Sequence, residues 1–302
     1  MKYKELPHIR PYKYFLGLII DLAMYLKKIM SNHCDYHSPS IGILKYIPGG
    51  SFQRDGKIFN ISTVSAFFMS EYEITRAQFA AITGIKDPSN SGHSTGLIDP
   101  VQRVNWYHTL VFCNKLSMTE GLTPVYTIND STDPTRWGAA PTICDASWDP
   151  VLADWSADGY SLPSEMEWIW AAMGADKNNP RKVNKIGYKK EYSGNNRSKN
   201  IDDYAWTHRN CNFGTHPVGT KLPNELGLYD MSGNVWEWCW DWYAENYPTE
   251  VVINYTGKKS GARRVIRGGS WYSLAIGAGV AYRNDGLPHC QCLDIGFRVV
   301  RS

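Results

Sequence analysis

Seven cysteines are the residues of this sequence best suited to chemistry, and their spacing excludes two common kinds of cysteine site. They lie at 34, 113, 144, 211, 239, 290 and 292, and no two are spaced as CxxC. A zinc ribbon and a thioredoxin-type redox site both need that spacing, so neither is expected. Cys290 and Cys292 form a close CxC pair, and this pair alone does not define a site for a soft metal.

The composition predicts a compact, loop-rich protein that does not bind nucleic acid. The chain has 302 residues, of which 43% are hydrophobic, so we expect a packed core. Charged residues make up 20%, and the net charge is only +3 with no long basic run, so DNA and RNA are not expected partners. Twelve Trp and 19 Tyr supply large rings for packing, and 26 Gly allow tight turns.

The first 40 residues resemble an export signal or a membrane anchor. Basic side chains in residues 1–13 precede an apolar stretch at 14–26, which is too short to cross a bilayer at about 1.5 Å per residue. This pattern fits an export signal with Cys34 as a lipid-modified residue, although residues 31–33 are not a small-residue cleavage site. The alternatives are an amphipathic helix on a membrane or on the protein body, or a start upstream of the true domain.

Residues 41–302 are expected to form one α+β domain with short strands and long loops. No low-complexity linker, charge block or fixed-period repeat divides them. Stretches rich in Gly, Pro, Asn and Asp predict irregular backbone at 126–158, 176–201 and 208–227.

Three helices are predicted from their capping residues. Two begin with a capping box and end at a glycine. In a capping box, the side chain of the N-cap residue accepts a hydrogen bond from the backbone N–H three residues later, and the side chain of that later residue accepts one from the N-cap N–H. A third begins at an asparagine cap. The residues are Thr75 and Gln78 with Gly84, Ser164 and Glu167 with Gly174, and Asn105.

Eight segments, in order along the chain, resemble the formylglycine-generating enzyme (sulfatase-modifying factor) family. They cover the chain from about residue 44 to the C-terminus. The resemblance implies a variant of the C-type lectin fold, with low regular secondary structure. The segments are IPGGSF at 47–52, EIT at 73–75, VNW at 104–106, YSLPSEMEW at 160–168, PVG at 217–219, NELGLYDMSGNVWEW at 224–238, RGGSW at 267–271 and GFR at 296–298.

The catalytic residues of that family are not found here. Oxidising members bind copper through two cysteines just after the Arg-Gly-Gly-Ser block, and by offset these positions fall on Ser273 and near Ala278. Related iron-dependent sulfoxide synthases use a His-rich helical domain, which eight scattered His do not supply. We therefore expect a protein that is not an enzyme. The alternative is an oxidase of the formylglycine-generating or sulfoxide-synthase type that acts on a thiol substrate.

The tail, about residues 268–302, is similar to the variable region of retroelement-diversified C-type lectin proteins, the treponeme variable proteins among them. In that family, copying errors at adenines change the Asn codons of a template. Setting the tail against such a template gives fifteen diversified positions. They are Tyr272, Ser273, Leu274, Ile276, Gly277, Tyr282, Asn284, Asp285, Gly286, Leu287, His289, Cys290, Cys292, Leu293 and Asp294.

The residues at these diversified positions agree with that origin. Codons derived in this way cannot encode Lys, Glu, Gln, Met or Trp, and none of the fifteen positions holds one of them. Gln291 and Gly279 depart from the expected template, which leaves the register after Pro288 open. The positions expected to stay constant are Ala275, Val280, Ala281, Arg283, Pro288 and Ile295.

The resemblance implies a display protein whose diversified positions bind a ligand. Their mixture of Tyr, Ser, Asn, Asp, Gly, His and Leu is typical of an antibody paratope, and Tyr272 and Tyr282 are expected to be the main anchors. The partner would be a protein or surface ligand that changes with the variable region. We expect a monomer at the cell surface or outer membrane, anchored through the N-terminal segment. A scaffold domain in a larger assembly is the third interpretation.

Asn234, the carbonyl of Val235, and Glu237 match the neighbourhood of a calcium site in family relatives. Oxygen ligands suit that ion. In the competing interpretation Asn234 holds a turn and Glu237 pairs with an arginine such as Arg267 or Arg298. The predicted function itself requires no cofactor.

The remaining polar and cysteine positions are expected to be structural. Asp202 and Asp203 suit a solvated turn better than a second cation site. The arginines at 267, 283 and 298 are expected to stack on rings or to bridge loops. The cysteines at 113, 144, 211 and 239 are expected to be buried as small hydrophobic residues, although export would allow a bridge from Cys144 to Cys211.

Overall fold

The computed structural model describes residues 34–145, 147–148, 150–176, 182–194 and 201–302. The signal-like segment before Cys34 lies outside the described residues. Within them, no helix combines the length and the apolar character needed to cross a bilayer. The body begins at Asp35, earlier than the expected residue 41. The reason is a first strand at Tyr36–Ser38, which pairs with the following strand and whose Ser38 hydroxyl donates to Glu120 at 2.6 Å.

Short strands in four small sheets make up the described β structure. The strand orders are β1-β2-β5-β14-β8, β10-β4-β3, β12-β11-β9-β13 and β6-β7. The strands are β1 Tyr36–Ser38, β2 Gly42–Ile47, β3 Gly50–Gln53, β4 Ile61–Val64, β5 Phe67–Ser70, β6 Tyr126–Thr127, β7 Leu152–Ala153, β8 Tyr160–Ser161, β9 Trp236–Trp242, β10 Val252–Ile253, β11 Arg264–Arg267, β12 Asn284–Gly286, β13 Ile295–Gly296 and β14 Val300–Arg301.

Three α-helices begin at the predicted caps. They are α1 Arg76–Thr83, α2 Trp106–Thr119 and α3 Glu165–Ala172. Thr75 and Ser164 form the expected capping boxes, and Asn105 forms one with His108. Because these bonds join residues only three apart, the local sequence is enough to specify them.

Two large clusters of aromatic and aliphatic side chains form most of the core of the described residues, and a small third cluster includes Tyr192 and Ile201. In one large cluster, Phe112 of α2 stacks on Phe79 of α1 and meets Phe297 edge to face, with ring centroids 6.2 and 5.2 Å apart. In the other large cluster, Trp170 of α3 stacks on Phe52 of β3 at 5.5 Å. Ring pairs in these geometries contribute beyond their buried area, so the many Trp and Tyr residues stabilise a fold with little regular structure.

Strand β9 is buried on both faces. Trp236 and Trp238 lie on one face, and Glu237, Cys239 and Asp241 on the other. The strand lies between β11 and β13, and α3 contacts it as well. A strand with buried carboxylates needs partners for them, because an unpaired buried charge is costly.

The partner of Glu237 is Arg298, and neither side chain is exposed. The guanidinium donates to both carboxylate oxygens of Glu237 at 2.7 to 2.9 Å. It also donates to the carbonyls of Ser70 and Tyr229 at 3.1 and 2.8 Å, and Trp168 Nε1 donates to Glu237 at 2.6 Å. This one ion pair therefore joins the C-terminal segment to β5, β9 and α3.

Arg298→Ala is expected to destabilise the protein by about 3 to 5 kcal/mol, because it leaves the Glu237 carboxylate buried without its counterion. Arg209→Ala is the control. Its side chain is 76% exposed and 3.3 Å from Asp202, so the change should cost less than about 1 kcal/mol. Chemical denaturation of both variants measures the difference. Equal losses would contradict the assigned role of Arg298.

Candidate ligand-binding surface

Of the fifteen positions predicted to be diversified, called the diversified positions below, twelve lie on two loops that leave the β12-β11-β9-β13 sheet, and Asn284, Asp285 and Gly286 form β12 itself. One loop joins β11 to β12, and the other joins β12 to β13. Of the fifteen positions, five are exposed and eight are intermediate; only Gly277 and Gly286 are buried. The structure thus gathers most of the diversified positions where a partner could contact them.

Constant residues hold these loops from inside. Trp271 is 4% exposed, and its backbone N–H donates to the Asn234 carbonyl at 2.8 Å. Arg283 donates to both oxygens of Glu165 at 2.6 and 2.8 Å, and its guanidinium lies 4.1 Å from the ring centre of Tyr247. The expected stacking of arginines on rings is thus found for Arg283. Val280, Pro288 and Ile295, all expected to be constant, are buried.

The two tyrosine anchors reach solvent. The exposed fractions are 65% for Tyr272 and 42% for Tyr282. Leu274 and Ile276 are more exposed than either, at 69% and 73%. Sequence reasoning gave these two aliphatic side chains no special weight, although two apolar residues in a loop without periodicity were a usable signal.

Gly286 does not belong to this surface. It lies in β12, and a Cβ atom there would come within 2.5 Å of the fully buried ring of Trp238. A larger residue would have to displace a core tryptophan. We therefore remove Gly286 from the candidate contact residues.

Asp294 and Asp285 are engaged within the protein. Asp294 accepts a hydrogen bond from the Ser270 hydroxyl at 2.8 Å, and its carbonyl accepts from the backbone N–H of Trp236. Burial raises the pKa of the Asp294 carboxyl. Asp285 forms an ion pair with Arg263. These two diversified positions brace the loops as much as they face solvent.

The cysteines are arranged differently from the expectation. Cys290 and Cys292 are joined by a disulfide within the β12–β13 loop, whereas Cys144 is exposed and is not bridged to Cys211. Cys113, Cys211 and Cys239 are buried, as expected. Burial raises the pKa of the Cys239 thiol well above its usual value, which suits a packing role.

The proposed calcium ligands are used by protein partners. Asn234 adopts a left-handed turn with φ 58°; its side chain donates to Glu73 at 2.8 Å and accepts from the His216 N–H at 3.1 Å. Both carboxylate oxygens of Glu237 accept from Arg298. Asn234 thus holds a turn and Glu237 pairs with Arg298, as the competing interpretation describes. Among the described residues, no group of three or more His, Cys, Asp or Glu is placed to hold a metal.

Asp202 and Asp203 lie in a 3-10 turn, where Asp202 faces Arg209 at 3.3 Å. Asp202 and Asp203 therefore form the solvated turn that the sequence favoured over a cation site.

The structure also shows a buried cation that the sequence gave no reason to single out. The guanidinium of Arg264 lies between Trp106 and Trp242, 3.6 and 3.3 Å from their ring centres.

The two positions that correspond to the copper-binding cysteines carry no thiol. Ser273 accepts a hydrogen bond from the backbone N–H of Ser270 at 3.0 Å, and Ala278 is fully buried. A hydroxyl and a methyl group cannot replace two thiolates as ligands for a soft metal. What the site offers is an exposed, chemically varied surface on a rigid support.

Comparison with known proteins agrees with this architecture. The family model of the sulfatase-modifying factor enzyme 1-like domain matches residues 40–302. The chain belongs to this family. The predicted α+β, C-type lectin-like fold of the formylglycine-generating enzyme type is thereby confirmed.

Proteins similar to this chain carry different names. Variable protein 1 of Treponema denticola superposes with a TM-score of 0.74 at 34% identity, covering 89% of this chain and 98% of that one. The chaperone protein LppX of Paenibacillus barcinonensis is 32% identical over 86% of this chain and 89% of its own. The formylglycine-generating enzyme of Thermomonospora curvata is 27% identical over 83% of this chain and 91% of its own. The suspected similarity to treponeme variable proteins is thus confirmed, and the family also includes enzymes.

Tyr272→Ala and Tyr282→Ala are each expected to change the free energy of unfolding by less than about 0.5 kcal/mol, because both rings are largely outside the core. Trp271→Ala, at a buried neighbour, should cost about 3 to 5 kcal/mol. Thermal melts of the three variants make the comparison. A loss of several kcal/mol at either tyrosine would mean that its ring belongs to the core.

The buried carboxyl of Asp230 should make stability depend on pH. Burial raises the pKa of Asp230 from 3.8 to about 6; the Gly219 N–H and Arg298 oppose the shift, and Glu237 adds to it. Since the folded-state pKa is the higher one, this contribution to stability is complete below about pH 3.8 and is lost as the pH rises through about 6.

Asp230→Asn should remove that loss while keeping an acceptor oxygen for Gly219. Between about pH 4 and pH 7, the unfolding free energy of the variant should therefore gain up to about 3 kcal/mol relative to wild type. Denaturant titrations at several pH values test this. A constant difference over the range would contradict the raised pKa.

Proposed function

We propose that the protein is a non-enzymatic, ligand-binding display protein whose C-terminal region is diversified by a retroelement. One observation carries the proposal: thirteen of the fifteen diversified positions reach solvent, whereas three of the six positions expected to stay constant, Val280, Pro288 and Ile295, are buried. Side chains that can change without disturbing the core are what a hypervariable site requires, because surface substitutions usually alter stability little.

The similarity to variable protein 1 of Treponema denticola supports this function over an enzymatic one. Formylglycine-generating enzymes are also relatives, at 27 to 32% identity in the bacterial examples. The oxidase alternative, however, has to work with Ser273 and Ala278 where those enzymes have metal-binding cysteines. The chemistry of the two positions favours binding.

The ligand is a protein or surface molecule that changes with the variable region. Diversification is useful only where the protein meets changing partners, so we place it at the cell surface or outer membrane, as a monomer. The basic and apolar N-terminal segment, with Cys34 as a lipid attachment site, would provide the anchor.

Sequencing the gene across independent lineages tests the diversification. Substitutions should concentrate at the diversified positions other than Gly286, should follow adenines of a template repeat, and should never introduce Lys, Glu, Gln, Met or Trp there. Trp271 and Ile295 serve as internal controls and should not vary. Substitutions spread evenly over residues 41–302 would contradict the proposal.

Activity measurements test the alternative. Purified protein supplied with copper or iron, oxygen and a thiol peptide is expected to show no turnover above that of the same mixture without the protein. Stoichiometric metal binding with oxidation of the thiol would contradict the assignment as a non-enzyme.

A further inference from the structure

Phe213 is an exposed aromatic residue of a loop outside the variable region, called constant below for that reason, and its backbone is strained. Its side chain is 65% exposed, and its φ is 61°, in the left-handed region, as is the φ of Asn212 at 49°. A bulky residue seldom adopts this conformation, which costs on the order of 1 to 3 kcal/mol unless the surroundings enforce it. Such strain around a solvent-exposed ring needs an explanation other than core packing.

Two histidines tie Phe213 to the variable region. A ring nitrogen of His93 bonds to the Phe213 carbonyl at 2.7 Å, and the same ring stacks on Trp271 with centroids 5.3 Å apart. The ring of His208 lies 6.2 Å from Phe213 and 6.2 Å from Tyr272, in edge-to-face geometry with both. Trp271 and Tyr272 are themselves 5.5 Å apart.

The contacts link these five aromatic residues into one continuous group, which we call the aromatic cluster. It consists of Phe213, His208, Tyr272, Trp271 and His93, and Tyr272 is the one diversified position in it. The backbone is joined at the same place, since the His208 N–H donates to the Ser273 carbonyl at 3.0 Å. A constant loop and a diversified loop therefore present one surface.

From this arrangement we infer that Phe213 is a fixed contact residue of the ligand site and that the ligand is a protein surface. The inference rests on the proposed function. Fourteen diversified positions remain without Gly286, whereas a standard protein interface uses about 20 to 30 residues a side. Constant residues must therefore contribute contacts, and Phe213 is exposed and directly connected to the variable region.

The shape of the site around Phe213 favours a protein over a small molecule, although a larger cavity of about 620 Å³ in another part of the variable region is lined by Ile276 and Tyr282. A small ligand needs a concave pocket of about 300 to 1,000 Å³. The cavity beside Phe213, lined among others by His93 and Thr215, has about 200 Å³, while Phe213 and Tyr272 project from the surface at 65% exposure. A partner protein covers projecting rings of this kind and places one side chain in the small cavity.

A random peptide library displayed on phage, selected on the intact chain, provides the probe. We expect the selected peptides to bind Phe213→Ala and Tyr272→Ala about 30-fold or more weakly, as for interface hot spots. The control is Phe59→Ala, which removes an equally exposed phenylalanine, at 71%, from the connection between β3 and β4. Its affinity should stay within about twofold, as for a residue outside the interface.

The outcomes separate this inference from the proposed function. Loss of binding with Tyr272→Ala but not with Phe213→Ala overturns the role of Phe213 and leaves the proposed function standing. Loss with Phe213→Ala alone overturns the shared surface. Peptides that are insensitive to both variants contradict the proposed function as well.

Stability gives a second readout, which tests the backbone strain at Phe213 independently of binding. Phe213→Gly removes both the ring and the backbone strain, so it should melt about 2 to 4 °C above Phe213→Ala, although neither variant binds the peptides. At Phe59, whose φ is not positive, the melting temperatures should be in the opposite order, with Phe59→Gly melting below Phe59→Ala. A Phe213→Gly variant that melts no higher than Phe213→Ala would contradict the assigned strain.

Discussion

The buried pair of Glu237 and Arg298 is the constraint on which the rest of the structure depends. Two fully buried charges need hydrogen bonds from their surroundings. The carbonyls of Ser70 and Tyr229 accept from Arg298, and the indole of Trp168 donates to Glu237. These hydrogen bonds form only if the C-terminal segment passes the sheet at the position that brings Arg298 beside Glu237. The downstream end of the variable region is fixed as a result.

A fixed frame allows the loops between its ends to change. The upstream end is held at Trp271, whose N–H bonds to Asn234, and the middle is held by Arg283 on Glu165. Neither contact uses a side chain at a diversified position. Apart from Asp285 and Asp294, which also brace the loops, stability and ligand choice therefore depend on different residues, as on other scaffolds in which a rigid core carries binding loops.

Local signals in the sequence determined much of the fold. The caps at Thr75, Asn105 and Ser164 were readable because each bond spans three residues. Ordered motifs such as RGGSW at 267–271 indicated the family that the comparison confirms. The resemblance of the tail to diversified variable regions indicated the candidate binding positions, and most of them reach solvent.

The tertiary structure decided what depends on contacts between distant residues. Gly286 is excluded by the ring of Trp238, 48 positions away, and Arg264 is buried between Trp106 and Trp242. Phe213 joins the candidate site only because folding places His93 and His208 between it and the variable region. Capping residues are neighbours along the chain, so they determined where helices begin, and the resemblance of the tail indicated which loops carry the candidate ligand site. Which side chains meet across those loops is set by packing, which the sequence alone did not reveal.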